Sequence, residues 1–226
     1  MTTVPHWSCS FEISEGQFVI ETPTSRDAEE LLLYLHENFR DFETLNKAIG
    51  ISKEEIEPIF VAMVNETTVQ PSSYVVRNRD DGRINSCVLN SVRDLNQLKP
   101  TDVSQLSAKA QKIVRLIEEV RQPVVGLDSS TGKLLEIVII SVAETHARRG
   151  LAKMLIQLCA GLARQTGCSH MFAEATGFKS QALFANMSFE TLNEIKHTDH
   201  REQGKDVFPM EDGKTDGIKL MFRCIE

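Results

Sequence analysis

Long apolar runs are missing from this chain. No stretch approaches the roughly 20 residues that a helix needs to cross a bilayer, so no membrane partner is expected. The first residues have no basic stretch ahead of an apolar run, so no secretory signal is expected either. Positive charge is in deficit: 25 Lys and Arg face 32 Asp and Glu, a net charge of −7. That balance argues against a nucleic-acid partner, which needs a basic face. It would attract a cationic amine and mildly repel an anionic ligand, so any anion site must be locally basic. The five cysteines (Cys9, Cys87, Cys159, Cys168 and Cys224) include no CxxC pair and are odd in number. They read as reduced thiols of a cytoplasmic protein. His197 and His200 are a tempting pair, but no third ligand has suitable spacing, so no metal is expected. Aromatic residues are few, with one Trp and two Tyr, Tyr34 and Tyr74.

What remains is ordinary globular material. A length of 226 residues suits one domain with ornaments, 1–226, and 41% hydrophobic residues supply a core. Residues 1–16 form an arm, either ordered or frayed. Phe18 to Thr22 reads as a strand. Thr24 or Ser25 caps a helix carrying Leu31, Leu32, Leu35 and Phe39 at helical spacing. Residues 41–50 read as a connection. Ser52 and Glu55 form a capping box for a second helix towards Asn65. Ser73–Arg77 and Ile84–Asn90 flank Asn78-Arg-Asp-Asp-Gly82, an antiparallel hairpin. Residues 94–104 look irregular, 108–120 helical, and 122–132 a loop.

Leu134 to Val142 is nearly continuous apolar sequence rich in β-branched residues, the mark of a strand buried on both faces. From Gly150 to Arg164 a helix places Leu151, Leu155, Leu158 and Leu162 on one face and ends at Gly167. Ser169–Ala175 is a strand and Lys179–Asn186 a short helix. Phe189–His197 and Gly217–Cys224 are two more strands, joined by a charged loop. Interleaved helices and strands predict an α/β (mixed α+β) single domain around one mixed, mostly antiparallel sheet with helices on both faces.

The turn Thr145-His-Ala-Arg-Arg-Gly-Leu-Ala-Lys153 joins the buried strand to the amphipathic helix. First-turn amides of a helix lack internal partners, and the dipole adds positive character, so together they make an anion site. Gly150 lets a phosphate approach the backbone. Arg148, Arg149 and Lys153 add positive charge. Local physics leaves two readings open, a phosphate cradle or a solvated basic helix start.

The residues Ala147-Arg-Arg-Gly150-Leu-Ala152 resemble the motif of GNAT acetyltransferases: Gln or Arg, two residues, Gly, one residue, Gly or Ala, between a strand and a helix. Ala147 departs at the first position. The resemblance implies a GNAT fold with an acetyl-CoA core over 134–189. It also implies acetyl-CoA contacts from Ile140, Ser141 and Val142 on the strand and from Arg148, Arg149, Gly150, Leu151, Ala152 and Lys153 at the turn. A second family element, a helix ending Leu-Tyr, three residues, Gly-Phe, is similar to Leu183-Phe184 through Ser188-Phe189. Phe184 replaces a tyrosine that protonates the departing thiolate, which phenylalanine cannot do. Ser180, or a water it orders, is then the candidate donor. A narrower likeness, to insect-type arylalkylamine N-acetyltransferases, rests on Phe42-Glu43-Thr-Leu-Asn46 and on Glu194-Ile-Lys-His197-Thr-Asp-His200, followed by Gly204 and Val207-Phe208. It implies direct transfer to a small amine with Glu43 as general base. His197 and His200 stand where aromatic residues are expected.

That chemistry has a clear need. An alkylamine with a pKa near about 10.4 must lose a proton before it attacks, and a carboxylate in an apolar pocket has its pKa raised towards the useful range. Phe39, Phe42 and Leu45 are expected to make that pocket. The resemblance also implies a backbone N–H near Val142 for the developing oxyanion, freed by a strand bulge there. The acceptor stays open between arylalkylamines and polyamines or other small amines. A degenerate acetyl-CoA-binding sensor or scaffold is a further reading, prompted by Ala147 and Phe184.

Overall fold

The computed structural model describes residues 17–95, 100–127, 132–210 and 212–225. The arm at 1–16, with Trp7 and Cys9, lies outside the described residues.

Nine strands are described: β1 (Phe18–Glu21), β2 (Tyr74–Asn78), β3 (Ile84–Asp94), β4 (Lys133–Val142), β5 (Cys168–Ala175), β6 (Glu190–Lys196), β7 (Arg201–Glu202), β8 (Lys205–Asp206) and β9 (Gly217–Cys224). The helices are α1 (Ala28–Leu35), α2 (Thr44–Ile49), α3 (Lys53–Val69), α4 (Ala108–Val125), α5 (Leu151–Gln165) and α6 (Phe178–Asn186). Seven strands form one sheet in the order β1-β2-β3-β4-β5-β9-β6, while β7 and β8 make a small separate hairpin. Only β4 and β5 run parallel. A parallel pair needs a crossover, and α5 provides it. The mixed, mostly antiparallel sheet and the single-domain fold agree with the sequence reading.

Two cores lie on opposite faces of the sheet. Helices α1 to α4 cover one face through Leu31, Leu35, Leu45, Phe60 and Leu116. Helices α5 and α6 cover the other through Leu151, Leu155, Cys159 and Phe184. The expected capping residues hold their helices. Thr24 and Asp27 form a capping box before α1, and Ser52 and Glu55 form one at α3. Gly82 turns the β2–β3 hairpin with φ 70°.

Several boundaries differ from the sequence reading. The connection at 41–50 contains the six-residue helix α2, capped by Glu43. Strand β3 runs on to Asp94 because its second half pairs with the first half of β4. Helix α4 continues to Val125 with Pro123 inside its last turn. After α1 the chain winds through a π turn, His36–Arg40, a form that recurs at functional sites. Cys87, Cys159 and Cys168 are buried free thiols, but Cys224 is exposed.

Candidate functional site

The two central strands part company. Strand β4 is in register with β5 only from Lys133 to Glu136, the last pair being Glu136 with Phe172. Beyond that point β4 bonds only β3, and β5 bonds only β9. The arms diverge as a fork, and the backbone groups of Ile137–Val142 that face β5 have no partner strand. Along this arm Val138, Ile140 and Val142 are half-buried. A bulge does occur in β4, but it lies opposite Leu89 and Asn90, at Val138. The bulge expected at Val142 is therefore displaced towards the root of the fork, where β4 leaves β5 and must bend.

The arm of β4 leads into the predicted cradle. Arg148 has φ 62° and Gly150 φ 80°, both left-handed. Such alternation turns successive amides inward as a small anion nest. Gly150 begins α5, and no side chain caps the helix there. Its first-turn amides, from Leu151 to Lys153, thus keep their capacity for an outside acceptor. Arg148, Arg149, Gly150 and Lys153 are exposed, Ala152 is half-buried and Leu151 is in the core. Arg149 also reaches Gln17 Oε1 at 3.2 Å. An extended ligand with a phosphate at one end fits this fork and nest. Ile140, Ser141 and Val142 lie on one arm and residues 148–153 at its end.

Glu43 stands at the start of α2, beside the residue that follows β5. Its carboxylate accepts from the amides of Leu45 at 3.0 Å and Asn46 at 2.7 Å, capping α2. The side chain of Thr176, just past β5, lies beside the same carboxylate and favours its charged form. Glu43 is thereby anchored by the residue that follows β5. Burial raises its pKa, and the bonds from Thr176, Asn46, Leu45 and Thr44 only partly oppose that rise. The surroundings differ from those expected. Leu45 is fully buried and Phe39 packs against the core, but Phe42 is 63% exposed. Packing is tight on this side: a Cβ on Gly177 would meet Thr44 Oγ1 at 2.7 Å.

Sequence reasoning missed Tyr34. Its hydroxyl donates to Asn85 O or Ser141 Oγ, each at 3.2 Å, beside the β4 arm. Ser141 Oγ also lies 3.4 Å from Asn38 O. Tyr34 is 4% exposed, and burial keeps its hydroxyl protonated. Beside it opens a pocket of about 290 Å³, lined by Asn38, Asn85, His146, Glu30, Glu37, Asp81 and Arg83 among others. The one signal in the sequence was that Tyr34 falls on the buried stripe of α1.

Ser180 and Phe184 lie on α6. Phe184 is buried against Phe189, ring centroids 5.0 Å apart. The Ser180 hydroxyl donates to Gly177 O at 2.8 Å as part of the α6 cap. Ser188 adopts φ 63°, a left-handed value that explains why the resembling sequences carry glycine there. His197 is 3% exposed, packs on Phe208, and has no partner for either ring nitrogen. Burial lowers its pKa.

Residues 109–189 match the family model described as Acetyltransferase (GNAT) family. Arylalkylamine N-acetyltransferase 2 from Aedes aegypti superposes with a TM-score of 0.77 at 24% identity, over 92% of this chain and 99% of that one. A polyamine N-acetyltransferase from Drosophila melanogaster, whose product is described as N-acetylagmatine, superposes at 0.78 with 17% identity over 92% and 99%. The C-terminal condensation domain of Ebony, in complex with β-alanyl-dopamine, superposes at 0.75 with 17% identity over 92% and 99%. No curated protein matches the sequence. The match at 109–189 lies within a fold that, over 92% of the chain, is like that of an insect arylalkylamine N-acetyltransferase. Among the described residues no helix is long and apolar enough to cross a membrane.

Proposed function

We propose that the chain is an acetyl-CoA-dependent N-acetyltransferase acting on small primary amines, arylalkylamines first, by direct transfer with Glu43 as general base. The observation that carries this reading is the setting of Glu43: a carboxylate with a raised pKa, held beside the end of β5, next to a fork whose β4 arm has backbone groups without a partner strand. Acetyl-CoA supplies an activated thioester carbonyl. The nest at 148–150 and the first amides of α5 bind its phosphates, with Arg148, Arg149 and Lys153 adding charge. The β4 arm at Ile140–Val142 orients its extended part. Glu43 takes the ammonium proton, directly or through a water. A raised pKa brings the carboxylate nearer the amine in basicity, which makes that transfer less uphill. The carboxylates of the pocket beside Tyr34 outnumber its one arginine and favour a cationic acceptor.

The test is acetyl-CoA consumption with a panel of amines: dopamine, serotonin, octopamine and tyramine on one side, polyamines and agmatine on the other. Arylalkylamine turnover supports the reading. Turnover of polyamines or agmatine alone moves the acceptor. Tight CoA binding with no turnover supports a sensor or scaffold instead, a second reading favoured by Phe184 and by the engaged Ser180 hydroxyl. To return a proton to the thiolate, Ser180 has to turn its hydroxyl from Gly177 O.

A further inference from the structure

An ionic chain crosses the root of the fork. Arg121 of α4 donates through Nη2 to Glu136 of β4 and through Nε to Glu174 of β5. The other oxygen of Glu136 accepts from Arg93 of β3, which also pairs with Glu66 of α3. The side chains of Glu136 and Glu174 are only 2% and 6% exposed. Their positions are what matter. Glu136 is the last β4 residue in register with β5, opposite Phe172, and Glu174 is the next residue on the same face of β5 after Phe172. One guanidinium therefore spans the two arms where they separate, with its carbon 6.0 Å from the Phe172 ring centroid. Burial works against its charge, but Glu174 and Glu136 outweigh that, so Arg121 stays protonated.

Such an arrangement is a poor way to gain stability. Desolvation of buried ions cancels much of their attraction, and apolar replacements are often neutral or stabilising. What a guanidinium supplies is geometry: a rigid planar set of donors that fixes two carboxylates relative to each other. Thr176 is the next residue after Glu174 on that face, and it holds the carboxylate of Glu43. The clasp grips β5, and the residue just past β5 holds the proposed base.

We propose that Arg121 is a positioning residue, whose guanidinium sets the opening of the β4–β5 fork and with it the place of Glu43 opposite β4. Its role in acetyl transfer rests on the function proposed above; its role in the fork does not. The test uses Arg121→Lys and the paired variant Arg121→Met with Glu174→Leu. The pair removes one positive and one negative charge and leaves Glu66–Arg93–Glu136 intact. Four readouts are taken: amide exchange at Ile137–Val142 and Ala173–Ala175, CoA affinity by calorimetry, Tm, and kcat and KM for the amine that the panel finds. Both variants are expected to exchange faster at these amides and to bind CoA about tenfold more weakly. Their kcat should fall about 10–100-fold, the scale of loss from a misplacement of about 1 Å. The paired variant should keep a Tm close to that of the wild type. Wild-type exchange and CoA affinity in the paired variant would overturn the proposal and leave the ions a purely structural part. If Arg121→Lys fails to fold, the paired variant decides. If the wild type acetylates no amine, the acetyltransferase reading fails by itself, and amide exchange still decides the clasp.

Discussion

The side chain of Thr176 lies beside the carboxylate of Glu43, bringing the residue after β5 to the residue that caps α2. One carboxylate thereby caps a helix and faces the fork. These two duties pull its pKa in opposite directions, and burial prevails.

Glu43→Gln is expected to lower kcat/KM by about 10²–10⁴-fold, the range for a lost general base. In the wild type, kcat/KM should rise with pH through the folded pKa of Glu43, above the free value of about 4.3. The variant should lack that rise. Steady-state kinetics across pH checks both, and a loss of only a few-fold removes Glu43 from the role.

The same carboxyl has a signature in stability. Its folded pKa lies above its unfolded one, so the native state binds the proton more tightly. The stability it contributes is full below the unfolded pKa and is lost as pH rises through the folded pKa. Relative to Glu43→Gln, the wild type should lose Tm between about pH 4 and the folded pKa. Calorimetry of both proteins over that window checks the sign, and a wild type that gained stability there would contradict it.

At the nest, two variants separate backbone from side chain. Gly150→Ala places a side chain on a residue at φ 80°. It should cost about 1–2 kcal/mol of stability and weaken CoA binding more than tenfold. Arg148→Gly keeps the left-handed turn and removes only an exposed charge, so its affinity should fall less than tenfold. Titration calorimetry at fixed salt ranks them, and the reverse order would place the binding energy in the arginine.

Tyr34→Phe removes a buried hydroxyl that lies between Asn85 O and Ser141 Oγ. Ser141 still has Asn38 O within 3.4 Å, whereas the Asn85 carbonyl loses its Tyr34 donor. The expected loss is about 1–2 kcal/mol, a fall in Tm of about 2–8 °C. Chemical denaturation measures it, and an unchanged midpoint would mean that the hydroxyl carries no net stability.

Gly177→Ala would drive a methyl into Thr44 Oγ1. Either the Thr44 side chain turns or α2 shifts, costing up to about 1–3 kcal/mol, and a shift of α2 displaces Glu43. We expect kcat to fall more than KM changes for acetyl-CoA, whose proposed contacts lie on the other arm. A variant with normal kcat would show that Glu43 tolerates the shift.

Features written in local pattern were legible in the sequence. The strand–turn–helix from Leu134 to Leu162, the hairpin around Gly82 and the caps at Thr24 and Ser52 all follow from short-range spacing. Helix α2 was hidden because it has only six residues and its cap is Glu43, a residue type outside the usual N-cap set. The bulge was misplaced because backbone register leaves no mark on side-chain identity. The ionic clasp joins residues from five elements, and no local window contains it. One signal was available: Glu136 interrupts the apolar run Leu134-Leu-Glu-Ile-Val-Ile-Ile, and a charge in a strand buried on both faces demands a partner. The resemblance led to Glu43, but its apolar setting was read too generously, since Phe42 faces solvent.

The parting of β4 from β5 has one more consequence. Sheets ordinarily confine their unpaired rims to the outside, where short strands and charges keep other chains from adding to them. Here half of a central strand is such a rim, enclosed between two layers of helices. It is shielded from aggregation by its place in the molecule, and it stays available to any slender guest that can lie along a strand.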